Sequence, residues 1–82
     1  MSRAELLSKI RDILSDIVDE PDLKITEATV AEDVPEWDSV NHVKLIIALE
    51  SELKIRFEPD EISASSNVGG LIDLIEKKLA NR

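Results

Sequence analysis

Apolar residues recur along this chain at helical spacing in three stretches and nowhere alternate for long enough to suggest a sheet. Leu6, Leu7, Ile10, Ile13, Leu14, Ile17 and Val18 fall on one stripe, which predicts an amphipathic helix over residues 2–18. Ser2-Arg3-Ala4-Glu5 has the form of a capping box at its start. Pro21 is expected to end it, because a residue before proline is pushed out of the helical region. A second helix is predicted at about 39–53, with Asp38 as its N-cap and Leu45, Ile46, Leu49 and Leu53 as its core face. Val68, Leu71, Ile72, Ile75 and Leu79 mark a last helix, with Lys77 and Lys78 at its negative end.

Between these stretches lie connections of different character. Residues 19–37 form a long one, through which Leu23, Ile25, Val30, Val34 and Trp37 are spaced so as to pin it across the helix ends. Lys54-Ile55-Arg56-Phe57 is too short and isolated for a sheet and reads as an extended connector. Glu58-Pro59-Asp60-Glu61-Ile62 suits a short helix with proline at its first position and acids in its first turn. Ser63 through Asn67 reads as a polar linker. With no internal repeat or low-complexity tract, residues 1–82 are expected to make one domain. Its fold class is all-α, a small four-helix bundle of three longer helices and one short third helix.

The second helix is apolar over an unusually wide arc. At about 100° per residue, Val40, Val43 and Ile47 fall on a flank beside the core face, next to Ser39. Either three neighbouring helices bury both flanks, or the strip is exposed and docks partners, rimmed by Asn41, Lys44, Glu50 and Ser51.

Composition changes this picture in two ways. The hydrophobic share is 43% but the aromatic share only 2%, so the core is built from Leu, Ile and Val. The formal net charge of −8 argues against nucleic acid and anionic membranes, and favours basic surfaces on other proteins or solubility alone. No apolar run is long enough to span a bilayer and no basic region precedes an apolar block at the N-terminus, so a cytoplasmic monomer is expected. The chain has no cysteine, hence no thiol nucleophile of its own.

Chemistry concentrates at Ser39. In the first turn of a helix its hydroxyl sits beside free backbone N–H groups and the positive end of the helix dipole, a place suited to a phosphate ester. Asp38, Ser39 and His42 could meet on one helix face as a hydrolase triad. That reading lacks a strained elbow, a glycine-rich loop and an oxyanion hole, so no catalytic residue is assigned. His42 is expected to lie partly buried at the mouth of the bundle, and Trp37 to anchor the long loop. Glu32, Asp33, Glu36 and Asp38 form an acidic cluster without the turn glycine of a calcium loop, and read as solvated surface with no metal assigned. Gly69-Gly70 inside the last helix signals either a loosely formed helix start, or room for a bound group or for close approach of another helix.

The run from Trp37-Asp38-Ser39-Val40 through Leu49-Glu50 resembles the modification site and second helix of acyl carrier proteins. Similarity extends over essentially the whole chain: an amphipathic first helix, a long loop, Phe57-x-Pro59-Asp60-Glu61 and Val68-Gly69-Gly70-Leu71-Ile72 fall in family order. The resemblance implies a carrier with no catalytic activity, bearing a 4'-phosphopantetheine arm on Ser39. A phosphopantetheinyl transferase would attach the arm from coenzyme A, and acyl or aminoacyl groups would ride on its thiol as thioesters. Asp38 would help position magnesium and coenzyme A during loading, and His42 would lie within reach of the arm. Val40, Val43, Lys44, Ile47 and Glu50 would face the partners, which are the transferase and the acyl- or aminoacyl-loading and condensing enzymes. Fatty-acid carriers usually have acidic residues at Asn41 and Lys44 and a small residue at Trp37. The Trp-Asp-Ser form is more similar to discrete carriers of polyketide, peptide or unusual-lipid pathways. An unmodified helical adaptor using the same strip is the competing expectation.

Overall fold

A computed structural model describes residues 2–62 and 67–81. In it, α1 spans Arg3–Val18, α2 Ser39–Leu53, α3 Pro59–Ile62 and α4 Val68–Ala80, with no strand among the described residues. The α1 capping box forms: the Glu5 N–H donates to Ser2 Oγ at 3.2 Å, and the Ser2 N–H to Glu5 Oε1 at 2.9 Å. This helix ends at Val18 as its periodicity predicts, but the residue that stops it is Asp19 rather than Pro21. Asp19 takes a left-handed conformation (φ 54°) that short polar side chains tolerate, and its N–H turns back to the Ser15 carbonyl. The Ser15 hydroxyl, itself buried, locks the turn by donating to the Glu20 carbonyl at 2.7 Å.

Leu6, Ile10, Leu14 and Val18 present a four-residue repeat to the core, and α1 packs against both α2 and α4 through them. From α2 the core takes Leu45, Ile46, Leu49 and Leu53; from α4 it takes Val68, Leu71, Ile72 and Ile75. The short α3 buries no residue fully. Ile62 packs at the edge of the core, and polar contacts add to this: Lys78 pairs with Glu61 at 2.7 Å and reaches over the Phe57 ring. Ile55 and Phe57 of the connector are buried, and the Glu50 carboxylate accepts the Phe57 N–H at 2.9 Å.

The long loop packs on four of its five predicted anchors, with Leu23, Val34 and Trp37 buried and Ile25 half-buried against the core and Val30 half-buried apart from it. It also carries a single 3₁₀ turn, Ala31–Asp33, that no periodicity announced. The loop finishes α4, too. Thr29 and Glu27 carbonyls accept the Val68 and Gly69 amides at 2.9 and 2.7 Å. A Cβ on Gly69 would lie 3.0 Å from that Glu27 oxygen, so glycine there serves the close approach of a loop backbone. Asn67, read as linker, is the N-cap of α4, its Oδ1 taking the Gly70 N–H at 2.8 Å. The rest of that linker, 63–66, lies outside the described residues.

One guanidinium ties these parts together. Arg3 donates to Glu27, to Asp73 at 2.6 Å and to Glu76, joining the start of α1 to the loop and to α4. Its hydrogen bond holds the Glu27 carboxyl below the ordinary value of 4.5. Glu5 is lowered chiefly by the Ser2 backbone N–H, and Glu61 by the Glu58 N–H and then Lys78. Depressed carboxyl values in the folded state give stability that is present above the unfolded value and lost as pH falls through the folded one. The melting temperature is therefore expected to be flat near neutrality and to drop below about pH 4.5. Arg3→Met should flatten that acid limb in thermal melts, and an unchanged acid limb would contradict this account.

Candidate modification site at the start of α2

Asp38 and Ser39 are placed by the backbone that enters α2. Glu36 adopts a left-handed φ of 69°, and its carbonyl accepts the Asp38 N–H at 3.0 Å and the Asn41 side-chain amide at 2.6 Å. That bend sets Asp38 in an extended conformation as N-cap, its Oδ1 taking the Asn41 N–H at 2.9 Å. The His42 N–H then begins the helical ladder by donating to the Asp38 carbonyl. As first residue of α2, Ser39 is exposed, and neither its amide nor that of Val40 has an acceptor within the helix.

His42 is half-buried and engaged through both ring nitrogens. The Trp37 indole Nε1–H donates to Nδ1 at 3.3 Å, and Nε2 lies 2.8 Å from the Ile62 carbonyl. An indole N–H only donates and a carbonyl only accepts, so these contacts pair Nδ1 as acceptor with Nε2 as donor. This chain of contacts joins loop, α2 and the end of α3. Asp38 faces an amide and His42 faces Trp37 and Ile62, so the arrangement gives Ser39 no general base. Beside Ser39 opens a cleft of about 300 Å³, lined by Ala31, Trp37, Asp38, Ser39, His42, Asn67 and Leu71.

The flank of α2 is open. Val40, Val43 and Ile47 are 65%, 43% and 58% exposed, so no neighbouring helix buries it. Lys44 is exposed among them, while Glu50 is half-buried and turned toward the connector. Of the acidic cluster, Asp33 accepts the Val30 N–H and Asp38 caps α2. No group of His, Cys, Asp or Glu among the described residues could hold a metal ion. Ala31, Asn67 and Leu71 were not anticipated at the site. An asparagine ahead of an apolar run is a helix-start signal that could have marked Asn67, whereas nothing local points Ala31 or Leu71 toward Ser39.

No protein-family model matches the chain. It is, however, 33% identical over 81 residues to an acyl carrier protein of Thermosynechococcus vestitus, covering 98% of this chain and 99% of that protein. It belongs to the acyl carrier protein family. An acyl carrier protein of Thermotoga maritima is 32% identical over 78 residues, covering 95% of this chain and 96% of the relative. Among solved structures, the solution structure of a holo acyl carrier protein from Geobacter metallireducens superposes with a TM-score of 0.81 at 39% identity, covering 92% of this chain and 86% of that one. As a member of this family the chain is a carrier of acyl groups, and its cofactor is a covalently attached 4'-phosphopantetheine. The start of α2 fits such a group: an exposed hydroxyl, two free amides for a phosphodiester anion and an adjoining cleft stand together there.

Proposed function

We propose that Ser39 is the residue through which this carrier holds its arm, and that residues 1–82 act as one carrier domain without catalytic activity. The carrying observation is an exposed serine at the first position of α2, flanked by amides with no helical acceptor. Those amides and the helix dipole would stabilise the phosphodiester anion without any cation. Asp38 orders this turn as its cap and, during loading, helps position the magnesium and coenzyme A. His42 and Trp37 form the wall along which the arm leaves Ser39. The arm supplies the terminal thiol that the chain lacks, and acyl or aminoacyl groups are carried on it.

Partners dock on the exposed strip of Val40, Val43 and Ile47, with Lys44 at its rim. They are a phosphopantetheinyl transferase and the loading and condensing enzymes of fatty-acid, polyketide, peptide or related biosynthesis. Neutral Asn41 and basic Lys44 favour a specialised pathway over housekeeping synthesis. No helix among the described residues is long and apolar enough to cross a membrane, and we read the protein as a cytoplasmic monomer.

Incubation with coenzyme A and a broad-specificity phosphopantetheinyl transferase, read by intact mass spectrometry, tests the assignment. The expected result is a gain of one phosphopantetheine by the wild type and none by Ser39→Ala. Loading of Ser39→Ala would move the arm elsewhere. Absence of any gain, with partner binding retained in Ser39→Ala, would favour an unmodified adaptor.

A further inference from the structure

At the opposite end of α2 from Ser39 the charge of the surface reverses. A groove of about 390 Å³ is lined there by Lys54, Arg56, Lys77 and Lys78, with Glu61 its lone carboxylate, and by Ile55, Leu74 and Asn81. Four of the chain's 10 basic residues thus meet at one pole of a protein whose net charge is −8. Lys78 is neutralised by Glu61, but among the described residues Lys54, Arg56 and Lys77 form no ion pair. Elsewhere, Arg3, Lys9 and Arg11 are paired with carboxylates, while Lys24 and Lys44 stand singly without an ion pair among the described residues.

Helix ends account for part of this arrangement. Lys54 is the C-cap of α2 and Lys77 lies in the last turn of α4, where cations complement the dipoles. Two helix C-termini amount to about −1 elementary charge, while the unpaired cations of the groove amount to about +3. The excess is net positive. Beneath it, Ile55 is buried and Leu74 half-buried, giving the groove an apolar floor under a cationic rim.

We propose that this groove docks a short acidic segment of a partner protein, its carboxylates on Arg56, Lys77 and Lys54 and one apolar side chain over Ile55 and Leu74. The charge balance selects that occupant. A polyanion or an anionic membrane would meet the repulsion of the whole acidic molecule before reaching a small cationic groove. A short segment feels only the local field, because screening confines each charge to about 8–10 Å at ordinary ionic strength. The 15 residues of α2 put the groove about 22 Å from Ser39, well beyond that range. A partner held there leaves Ser39 and the exposed strip free, and raises the effective concentration of the carrier at an enzyme surface by a two-point contact.

The test is fluorescence anisotropy with a short fluorescein-labelled peptide of glutamates around a central leucine. Saturable binding that weakens with added salt is expected, and Arg56→Glu/Lys77→Glu should reduce the affinity about tenfold or more. Lys24→Glu, an exposed cation outside the groove, should leave it unchanged. Lys54 is kept because its left-handed φ of 56° forms the α2 cap. Reversing Lys77 could fray α4, so Arg56→Gln/Lys77→Gln, matched to wild type in helicity, should show an intermediate loss. Absence of peptide binding, or an unaltered affinity in either double variant, would overturn the proposal. So would tighter binding of inorganic pyrophosphate or of phosphatidylglycerol vesicles than of the peptide. Ser39→Ala should bind the peptide normally and the groove variants should still be loaded with the arm, so the groove and the attachment site fail separately.

Discussion

Ile46→Ala is expected to destabilise the protein by about 2–5 kcal/mol, whereas Ile47→Ala, one residue further on, should cost less than about 0.5 kcal/mol. The two side chains are chemically identical and adjacent, but Ile46 is 1% exposed and Ile47 58%. Deleting Ile46 removes atoms from a core in which Leu45, Leu49 and Ile72 are themselves fully enclosed, so little can move in to fill the space. A chain of this length has a total stability of roughly 4–12 kcal/mol, so the loss is a large fraction of the whole. Urea melts monitored by helical circular dichroism measure both variants. The Ile47 substitution should appear in a different readout, the rate of loading by a phosphopantetheinyl transferase, as about a tenfold fall in kcat/KM. Unaltered loading by Ile47→Ala would remove it from the docking strip, and a melt shifted as far as that of Ile46→Ala would make it core.

His42→Ala should cost about 2–3 kcal/mol and shift the fluorescence emission to the red. The substitution leaves the Trp37 indole N–H and the Ile62 carbonyl without the partners they have at 3.3 and 2.8 Å. Trp37 is 8% exposed, and water entering from the adjoining cleft would replace the lost partners only in part. The chain contains one tryptophan and no tyrosine, so the emission reports on this residue alone. Trp37→Phe removes one donor and lets Nδ1 turn to the adjoining cleft, so it should cost less, about 1 kcal/mol. Equal stability of His42→Ala and wild type, with unshifted emission, would show that the Trp37–His42–Ile62 chain does not hold the loop to α3.

Much of the fold was legible because it rests on local rules. The Ser2/Glu5 box, the Asp38 cap and the apolar periodicity of α2 each satisfy backbone or burial requirements within a few residues, and their bounds were found as predicted. The end of α1 at Val18 was found as predicted, but its cause is a left-handed cap at Asp19 rather than Pro21, and composition alone seldom marks such a cap on an aspartate. Gly69 was recognised as unusual, but its cause is a carbonyl from the distant loop. Around the candidate site, Asp38 and Ser39 were readable from sequence, whereas Ala31 and Leu71 are brought there by the loop and by α4.

What the sequence by itself determined was the set of helices, the residues of their core faces and the placing of one serine where α2 begins, since hydrogen bonding and periodicity within a segment are short-ranged. The structure alone decided which apolar flank stayed open, because exposure depends on where the other helices pack. It likewise decided that His42 spends both nitrogens on Trp37 and Ile62, and that Lys54, Arg56, Lys77 and Lys78 converge at one pole. The segments that carry these groups are separated along the chain, 42 from 62 and 54–56 from 77–78, and only burial of a common core brings them together.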